Sequence, residues 1–247
     1  MATAPREQLD RPAFYAMRTG GWRDLVTILH PPYTAWHLSY VALGAVAAPA
    51  LYAGRLGAAL AAFFLAVGVS AHAFDELAGR PLRTALTDRT LIVLAAAGLV
   101  GAVAIGIAGI VIVSPLLAPF VAAGAFLVLA YNLELGGGRF HTDVWFAVAW
   151  GAFPAFTGYF VNALEIRPEG VLVAGACYLL SVAQRRLSTP VRELRRRTVD
   201  VSGEQRLDGG EVRPLTKAQL AAPLDGALSA LWLALVLLAA GLVAVRL

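Results

Sequence analysis

Long apolar runs separated by short polar segments dominate the sequence. A helix needs about 20 mostly apolar residues to cross the hydrocarbon core of a bilayer. Seven runs are long enough or nearly so, and they are rich in Ala, Leu and Gly without the alternation of a strand. The pattern therefore predicts an all-α fold, a polytopic membrane helical bundle with about seven transmembrane helices. The predicted spans are Tyr33–Ala53, Leu56–Glu76, Thr90–Gly109, Pro115–Glu134, Thr142–Asn162, Glu169–Gln184 and Asp225–Val245.

Two polar segments lie outside these spans. Residues 1–32 form a cytoplasmic or interfacial N-terminal segment, in which Arg11–Leu29 is either an amphipathic helix at the membrane surface or a poorly ordered lead-in. Residues 33–247 form the transmembrane domain, with a basic cytoplasmic loop at about 185–222. In that loop Thr189 and Pro190 predict the start of a separate short helix. The Gly, Asp and Glu content of residues 200–214 predicts a flexible loop.

Composition agrees with a membrane protein and gives its orientation. Hydrophobic residues make up 59% of the chain and charged residues only 15%, against about 25% charged in soluble domains. Seventeen of the 20 Lys and Arg residues fall on one side of the predicted membrane, and only Arg55, Arg167 and Arg246 fall on the other. Basic loops stay in the cytoplasm, so we expect a cytoplasmic N-terminus and an external C-terminus in the cytoplasmic membrane of a prokaryote. The net charge of +4 requires no nucleic acid partner.

A polar cluster at the end of the second span is the first candidate for chemistry. His72 shares a helix face with Asp75 and Glu76, and Arg80 follows four residues after Glu76. Carboxylates at a helix C-terminus are disfavoured by the helix dipole, so helix stability does not explain them. Carboxylate oxygens are the ligands that Mg²⁺ prefers. The cluster predicts either a cation site or an ion pair of the carboxylates with arginine.

Two further groups of polar residues end spans on the same side. Tyr131 and Glu134 close the fourth span on one helix face, as a substrate-facing patch or as an interfacial pair. Gln184, Arg185 and Arg186 close the sixth span, where positive charge is also favoured by topology alone. Guanidinium groups match phosphate bidentately. These arginines together with a carboxylate pair would make a diphosphate site.

The order of these features resembles the UbiA superfamily of intramembrane prenyltransferases, most closely its menaquinone-type branch. In that family a segment of the RPP kind leads into the first span, and an Asp-rich motif followed by Arg-Pro-Leu closes the second. Residues 29–35 and 71–82 stand at those places here. Tyr131 and the Gly- and Pro-containing stretch 153–160 match the end of span four and span five. The resemblance covers roughly 160 residues.

The resemblance implies that the bundle binds an isoprenoid diphosphate or a polyprenyl lipid. It implies at most one Mg²⁺, held by Asp75 and Glu76, with Arg80 among the diphosphate contacts. Tyr131 would face the allylic cation, and His72 or Glu134 would take the proton of the acceptor. Other positions depart from the family pattern: Ala71, His72 and Gly79 replace acids or amides of the first motif.

The second acidic motif of the family is absent from span six. The stretch 181–190 contains no carboxylate, and the next one along the chain is Glu193. We therefore expect Arg185 and Arg186, beside Gln184, to replace the second metal as a guanidinium clamp on the diphosphate. The leading hypothesis is a prenyltransferase. A terpene cyclase on the same fold and a non-catalytic lipid-binding or accessory membrane protein remain as alternatives.

The charge asymmetry makes a testable topology prediction. Cysteines introduced at Ser202 and at Leu247 should label from opposite sides of the membrane, because the loop around Arg192–Arg213 is cytoplasmic and the C-terminus external. Accessibility labelling in sealed vesicles with an impermeant thiol reagent measures this. Labelling of both positions from one side would mean that the chain crosses the membrane an even number of times between them, and that the predicted spans are miscounted.

Overall fold

The computed structural model describes residues 11–247, and long helices make up most of this range. The eight helices of the described range are α1 Trp22–Ile28, α2 Pro31–Ala47, α3 Ala53–Leu77, α4 Asp88–Ile112, α5 Pro115–Asn132, α6 Asp143–Ala163, α7 Pro168–Arg196 and α8 Lys217–Arg246. A π-helical segment interrupts α3 at Phe64–Ala71 and α6 at Val148–Ala152, and α5 opens with a 3-10 turn. A further four-residue helical turn lies at Leu135–Gly138.

Five of the described helices are long and apolar enough to cross a membrane, namely α3, α4, α5, α6 and α8. The prediction of a helical membrane bundle agrees with this. α2 has only 17 residues, and α7 ends in a strongly basic stretch. Each predicted span nevertheless coincides with one long helix. The number of seven spans therefore stays a prediction.

The predicted end of the sixth helix at Gln184 is wrong. α7 runs through Pro190 to Arg196 without a break, which at 1.5 Å per residue makes it about 43 Å long. Proline in a helix interior removes one backbone hydrogen bond. The helix continues because its last turns are held from two sides: Arg195 donates to Asp225 of α8 at 2.6 Å, and Arg196 donates to the Pro12 carbonyl at 3.2 Å.

The segment between α7 and α8 is also more ordered than predicted. Strands Glu204–Arg206 and Val212–Pro214 pair antiparallel as a small hairpin where a flexible loop was expected. α8 begins at Lys217, two turns before the predicted span, behind a capping box formed by Thr216 and Gln219. These elements lie at the basic end of the bundle, outside the apolar part of the helices.

Glycines allow α2 and α6 to pack so closely that their backbones are in contact. A Cβ on Gly44 would collide with the Ala155 carbonyl, and one on Gly158 with the Val41 carbonyl. Small residues at helix contacts are typical of membrane bundles, where close van der Waals packing drives association. This packing fixes the inner face of α2, with Tyr40 fully buried, against α6.

Within residues 11–30 of the N-terminal segment, only Trp22–Ile28 is helical. Buried Asp24 ties it to the loop after α3 by accepting hydrogen bonds from the Gly20 and Ala85 amides at 3.1 and 3.2 Å. Trp22 and Leu25 are exposed, as expected of a segment at a membrane surface. A helix over the whole of Arg11–Leu29 is therefore not formed.

Glu76 organises the loop between α3 and α4. Its side chain is 1% exposed, and Oε2 accepts from the Leu82 amide at 2.9 Å. Oε1 accepts from the amide and the hydroxyl of Thr84, both at 2.8 Å. A buried carboxylate needs such donors to remain stable. Glu76 is thus a structural residue of the loop, and the prediction that it binds metal beside Asp75 finds no support in this geometry.

The role of Glu76 can be tested by stability. Glu76→Ala would leave three donors without an acceptor, each costing about 1–3 kcal/mol when buried. We expect the variant to unfold in detergent well below the wild-type temperature, while Glu193→Ala, at an exposed position of α7, stays near wild type. Thermal unfolding followed by circular dichroism measures both. Equal unfolding temperatures for Glu76→Ala and wild type would refute the structural role.

Candidate functional site

A polar cavity of about 360 Å³ lies at the basic end of the bundle. Its wall comes from the N-terminal segment, the first turns of α2, the ends of α3 and α5, the start of α6, and the last three turns of α7. The charged and hydrogen-bonding side chains on the wall are Tyr15, His30, Tyr33, His37, His72, Asp75, Tyr131, Asn132, Glu134, His141, Gln184, Arg185, Ser188, Arg192, Arg195, Arg196 and Asp225.

Six of the nine sequence-predicted site residues meet in this cavity: Asp75, Tyr131, His72, Arg185, Glu134 and Gln184. The other three do not line it. Glu76 faces the loop described above. Arg80 bonds forward to Asp88 and to the Leu86 carbonyl, because its left-handed backbone (φ 54°) directs it to the start of α4. Arg186 is exposed on the opposite side of α7, so the predicted clamp of adjacent arginines does not form.

Asp75 presents an open carboxylate to the cavity. Among residues 11–247 it has neither a hydrogen-bond donor nor an ion-pair partner. In the adjacent Glu76, in contrast, both carboxylate oxygens accept hydrogen bonds. An unpaired carboxylate in a low-dielectric interior is unfavourable, so an external cation or donor would stabilise it.

Arginines from α7 face Asp75 across the cavity. Arg185 donates to Asp143 at 2.7 Å and lies over the Phe146 ring. Arg192 donates to the Thr189 hydroxyl at 3.3 Å and has no carboxylate partner in the described part of the chain. Burial, and next the neighbouring Arg185 charge, lower the pKa of Arg192 below its ordinary value. The guanidinium remains charged at neutral pH, and an anion beside it would relieve the crowding.

The N-terminal segment closes one side of the cavity over the end of α7. Pro12, Ala13, Phe14 and Tyr15 belong to the wall. Arg196 donates to the Pro12 carbonyl at 3.2 Å, and the hydroxyl of Tyr15 lies 2.7 Å from His30 Nδ1. The wall of the cavity is therefore formed by the N-terminal segment as well as by the long helices.

All four histidines of the chain line this one cavity. The rings of His30 and His72 stack with centroids 4.0 Å apart, and His141 stacks on Tyr131 at 4.5 Å. His37 Nδ1 lies 2.7 Å from the Trp150 carbonyl. Imidazole is a common proton-transfer group in proteins, so the cavity holds four candidate groups for proton transfer.

An apolar cavity of about 150 Å³ adjoins the polar one. It lies between α3, α4, α5 and α6 and is lined mainly by Ala, Val, Leu, Gly and Phe. Val67 and Trp150 line both cavities, and each sits in one of the two π-helical segments. π-helical bulges often occur at functional sites. The two cavities together suit an amphiphile with a charged head and a long apolar chain.

The donor set limits what metal this site would hold. No group of three or more His, Cys, Asp or Glu side chains with metal-binding geometry occurs within residues 11–247. Asp75 is the open carboxylate in the cavity, and Mg²⁺ is commonly bound by one or two carboxylates with phosphate oxygens and water completing its shell. The residues present fit a single Mg²⁺ that binds together with a phosphate ligand.

The sequence prediction missed several residues of the cavity. Ser188, Arg192 and Arg195 follow the predicted Gln184 at intervals of three or four residues, and so lie on the same face of the helix. Because the predicted helix ended before Pro190, the sequence did not reveal this periodicity. His30, His37 and Tyr15 carried no comparable local signal, because the tertiary fold alone brings them to Asp75.

No protein-family model matches this chain, and no curated protein sequence or solved structure is significantly similar to it.

Proposed function

We propose that this protein binds an isoprenoid diphosphate and transfers its prenyl group to an acceptor within the membrane. The observation that carries the proposal is the junction of the two cavities at Val67 and Trp150. A cavity with unpaired cationic and anionic groups meets an apolar cavity between membrane-spanning helices. A prenyl diphosphate is an amphiphile of this kind, and the motifs that resemble the UbiA superfamily point to the same ligand.

In this proposal the chain crosses the membrane seven times, with α2 and α7 as the additional spans. The N-terminus, the loop after α3 and the arginine end of α7 lie in the cytoplasm, as the positive-inside rule requires. The diphosphate would then bind at the cytoplasmic surface, where water-soluble diphosphates occur. The prenyl chain would extend toward the middle of the bilayer.

The charged residues would act on the leaving group. Ionisation of an allylic diphosphate transfers negative charge to the diphosphate, and fixed positive charge lowers the barrier to this step. Arg192 and Arg185 would supply that charge from α7, and a Mg²⁺ held by Asp75 and the phosphate oxygens would supply the rest. Tyr131 would present an aromatic ring to the developing cation. Arg192 takes the part that the sequence assigned to Arg186.

A non-catalytic binding role is the second candidate. The UbiA pattern places two acidic motifs at this cavity, whereas here Asp75 is its open carboxylate. This smaller set of acidic groups favours binding without catalysis. The same amphiphile would be bound without ionisation. Release of diphosphate from a bound prenyl diphosphate separates the two candidates, because a binding protein returns its ligand unchanged.

Arginine substitutions on α7 test the diphosphate site. Arg192→Ala should weaken binding of farnesyl diphosphate about 10- to 150-fold, since a charge-assisted hydrogen bond contributes roughly 1.5–3 kcal/mol. Arg192→Lys should recover only part of this, because an ammonium lacks the planar fork. Titration in detergent or nanodiscs measures the affinities.

Arg186→Ala is the matched control for this series. It removes the same side chain from the same helix at an exposed position that does not line the cavity. Its affinity should stay within about twofold of wild type. Equal losses at both positions would mean that general charge attraction, not the cavity, binds the ligand.

Removal of the carboxylate tests the metal. Asp75→Asn keeps the size of the side chain and should abolish any increase in farnesyl diphosphate affinity caused by Mg²⁺. Wild type should bind more weakly in excess chelator, whereas the variant should bind equally with and without metal. Glu193→Gln, at an exposed position of α7, is the control. An affinity of wild type that does not depend on Mg²⁺ would remove the metal from the mechanism.

A further inference from the structure

The floor of the polar cavity is set by a contact between α2 and α7. The Ser181 hydroxyl donates to the Tyr40 hydroxyl at 3.4 Å, and both side chains are fully buried. One helical turn toward the basic end of the bundle, His37 precedes Tyr40 on α2 and Gln184 follows Ser181 on α7. Both of these line the cavity. His37 and Gln184 are therefore the cavity-lining polar residues next to the buried contact of Ser181 with Tyr40.

The backbone of α6 fixes the position of the His37 ring. In an α-helix the Trp150 carbonyl would accept a hydrogen bond from the amide of residue 154, but that residue is proline and has no N–H. His37 Nδ1 lies 2.7 Å from this carbonyl oxygen. A carbonyl only accepts hydrogen bonds, so the proton must be on Nδ1.

This contact determines which nitrogen is available. A neutral imidazole protonated at Nδ1 carries its lone pair at Nε2. His37 is 4% exposed, and within the described residues its Nε2 has no hydrogen-bond partner. Helix geometry places Gln184 at the same level of the cavity, and its Oε1 is buried without a donor. Two acceptors without donors thus belong to the wall of the same cavity.

We propose that His37 Nε2 is the proton acceptor of this site, with Gln184 orienting the hydroxyl group that gives up the proton. The inference rests on the proposed transfer function. In that reaction the allylic C–O bond breaks and its electron pair leaves with the diphosphate. A lone pair of the acceptor hydroxyl oxygen forms the new bond to the prenyl carbon, and the hydroxyl proton moves to Nε2. The resulting imidazolium keeps its Nδ1 bond to Trp150 and later returns the proton to water.

The tautomer can be measured without any substrate. Spectra of ¹⁵N-histidine-labelled protein in nanodiscs, assigned by comparison with His37→Asn, should show His37 protonated at Nδ1 and unprotonated at Nε2 at neutral pH. Pro154→Ala restores a backbone donor to the Trp150 carbonyl and should shift the His37 signals toward a mixture of tautomers. Pro223→Ala, also inside a helix, is the control and should leave them unchanged. Protonation of Nε2 in wild type would overturn the proposal.

Turnover gives the second test, with farnesyl diphosphate as donor and water as the probe acceptor. His37→Asn keeps an N–H at the position of Nδ1 but has no basic nitrogen. Its affinity for farnesyl diphosphate should stay within about twofold of wild type, while farnesol formation falls by about 100-fold or more. Equal, measurable rates in the two proteins would overturn the role of His37 alone. A wild type that binds the donor without turnover, or that does not bind it, would overturn the proposed transfer function itself.

Discussion

A carboxylate inside a low-dielectric helical bundle must find hydrogen-bond donors or a cation, and this constraint organises the basic end of the protein. Glu76 meets it internally through Leu82 and Thr84 and so holds the loop after α3. Asp75, one residue earlier, has no hydrogen-bond or ion-pair partner within residues 11–247 and faces the cavity. Two chemically similar neighbours are thus divided into a structural residue and an open site. A helix rotation of 100° per residue is enough to separate them.

The hydrophobic pattern was sufficient to predict the helices. Bilayer thickness sets their length, and inside the bilayer every backbone N–H and C=O must be hydrogen-bonded within the protein, which favours helices. It failed at Pro190, where a local propensity to end the helix is outweighed by contacts of Arg195 and Arg196 with distant parts of the chain. Local spacing also could not divide the roles of Asp75 and Glu76. That division depends on the path of residues 82–84, which becomes known only when the loop folds back.

The site shows the same limit. Asp75, Tyr131 and Arg185 were predictable as polar residues at helix ends on one side of the membrane. His37 was not, since it lies within an apolar run and acquires its role from the Trp150 carbonyl of another helix. Pro154 entered the sequence analysis only as part of the Gly- and Pro-containing stretch 153–160. In the structure it frees the carbonyl that orients the His37 ring, a consequence that no single-helix pattern contains.

The peptide segment at residues 11–15 gives the cavity a wall that no helix supplies. Its carbonyl oxygens at Arg11 and Pro12 accept hydrogen bonds from Arg195 and Arg196, so neutral dipoles partly solvate cations that water would otherwise hydrate. Shortening the chain at this end would expose the arginines to solvent, raise the local dielectric constant and weaken every electrostatic interaction inside the cavity. Residues 11–15 are therefore part of the polar environment of the site and influence how strongly the buried charges act.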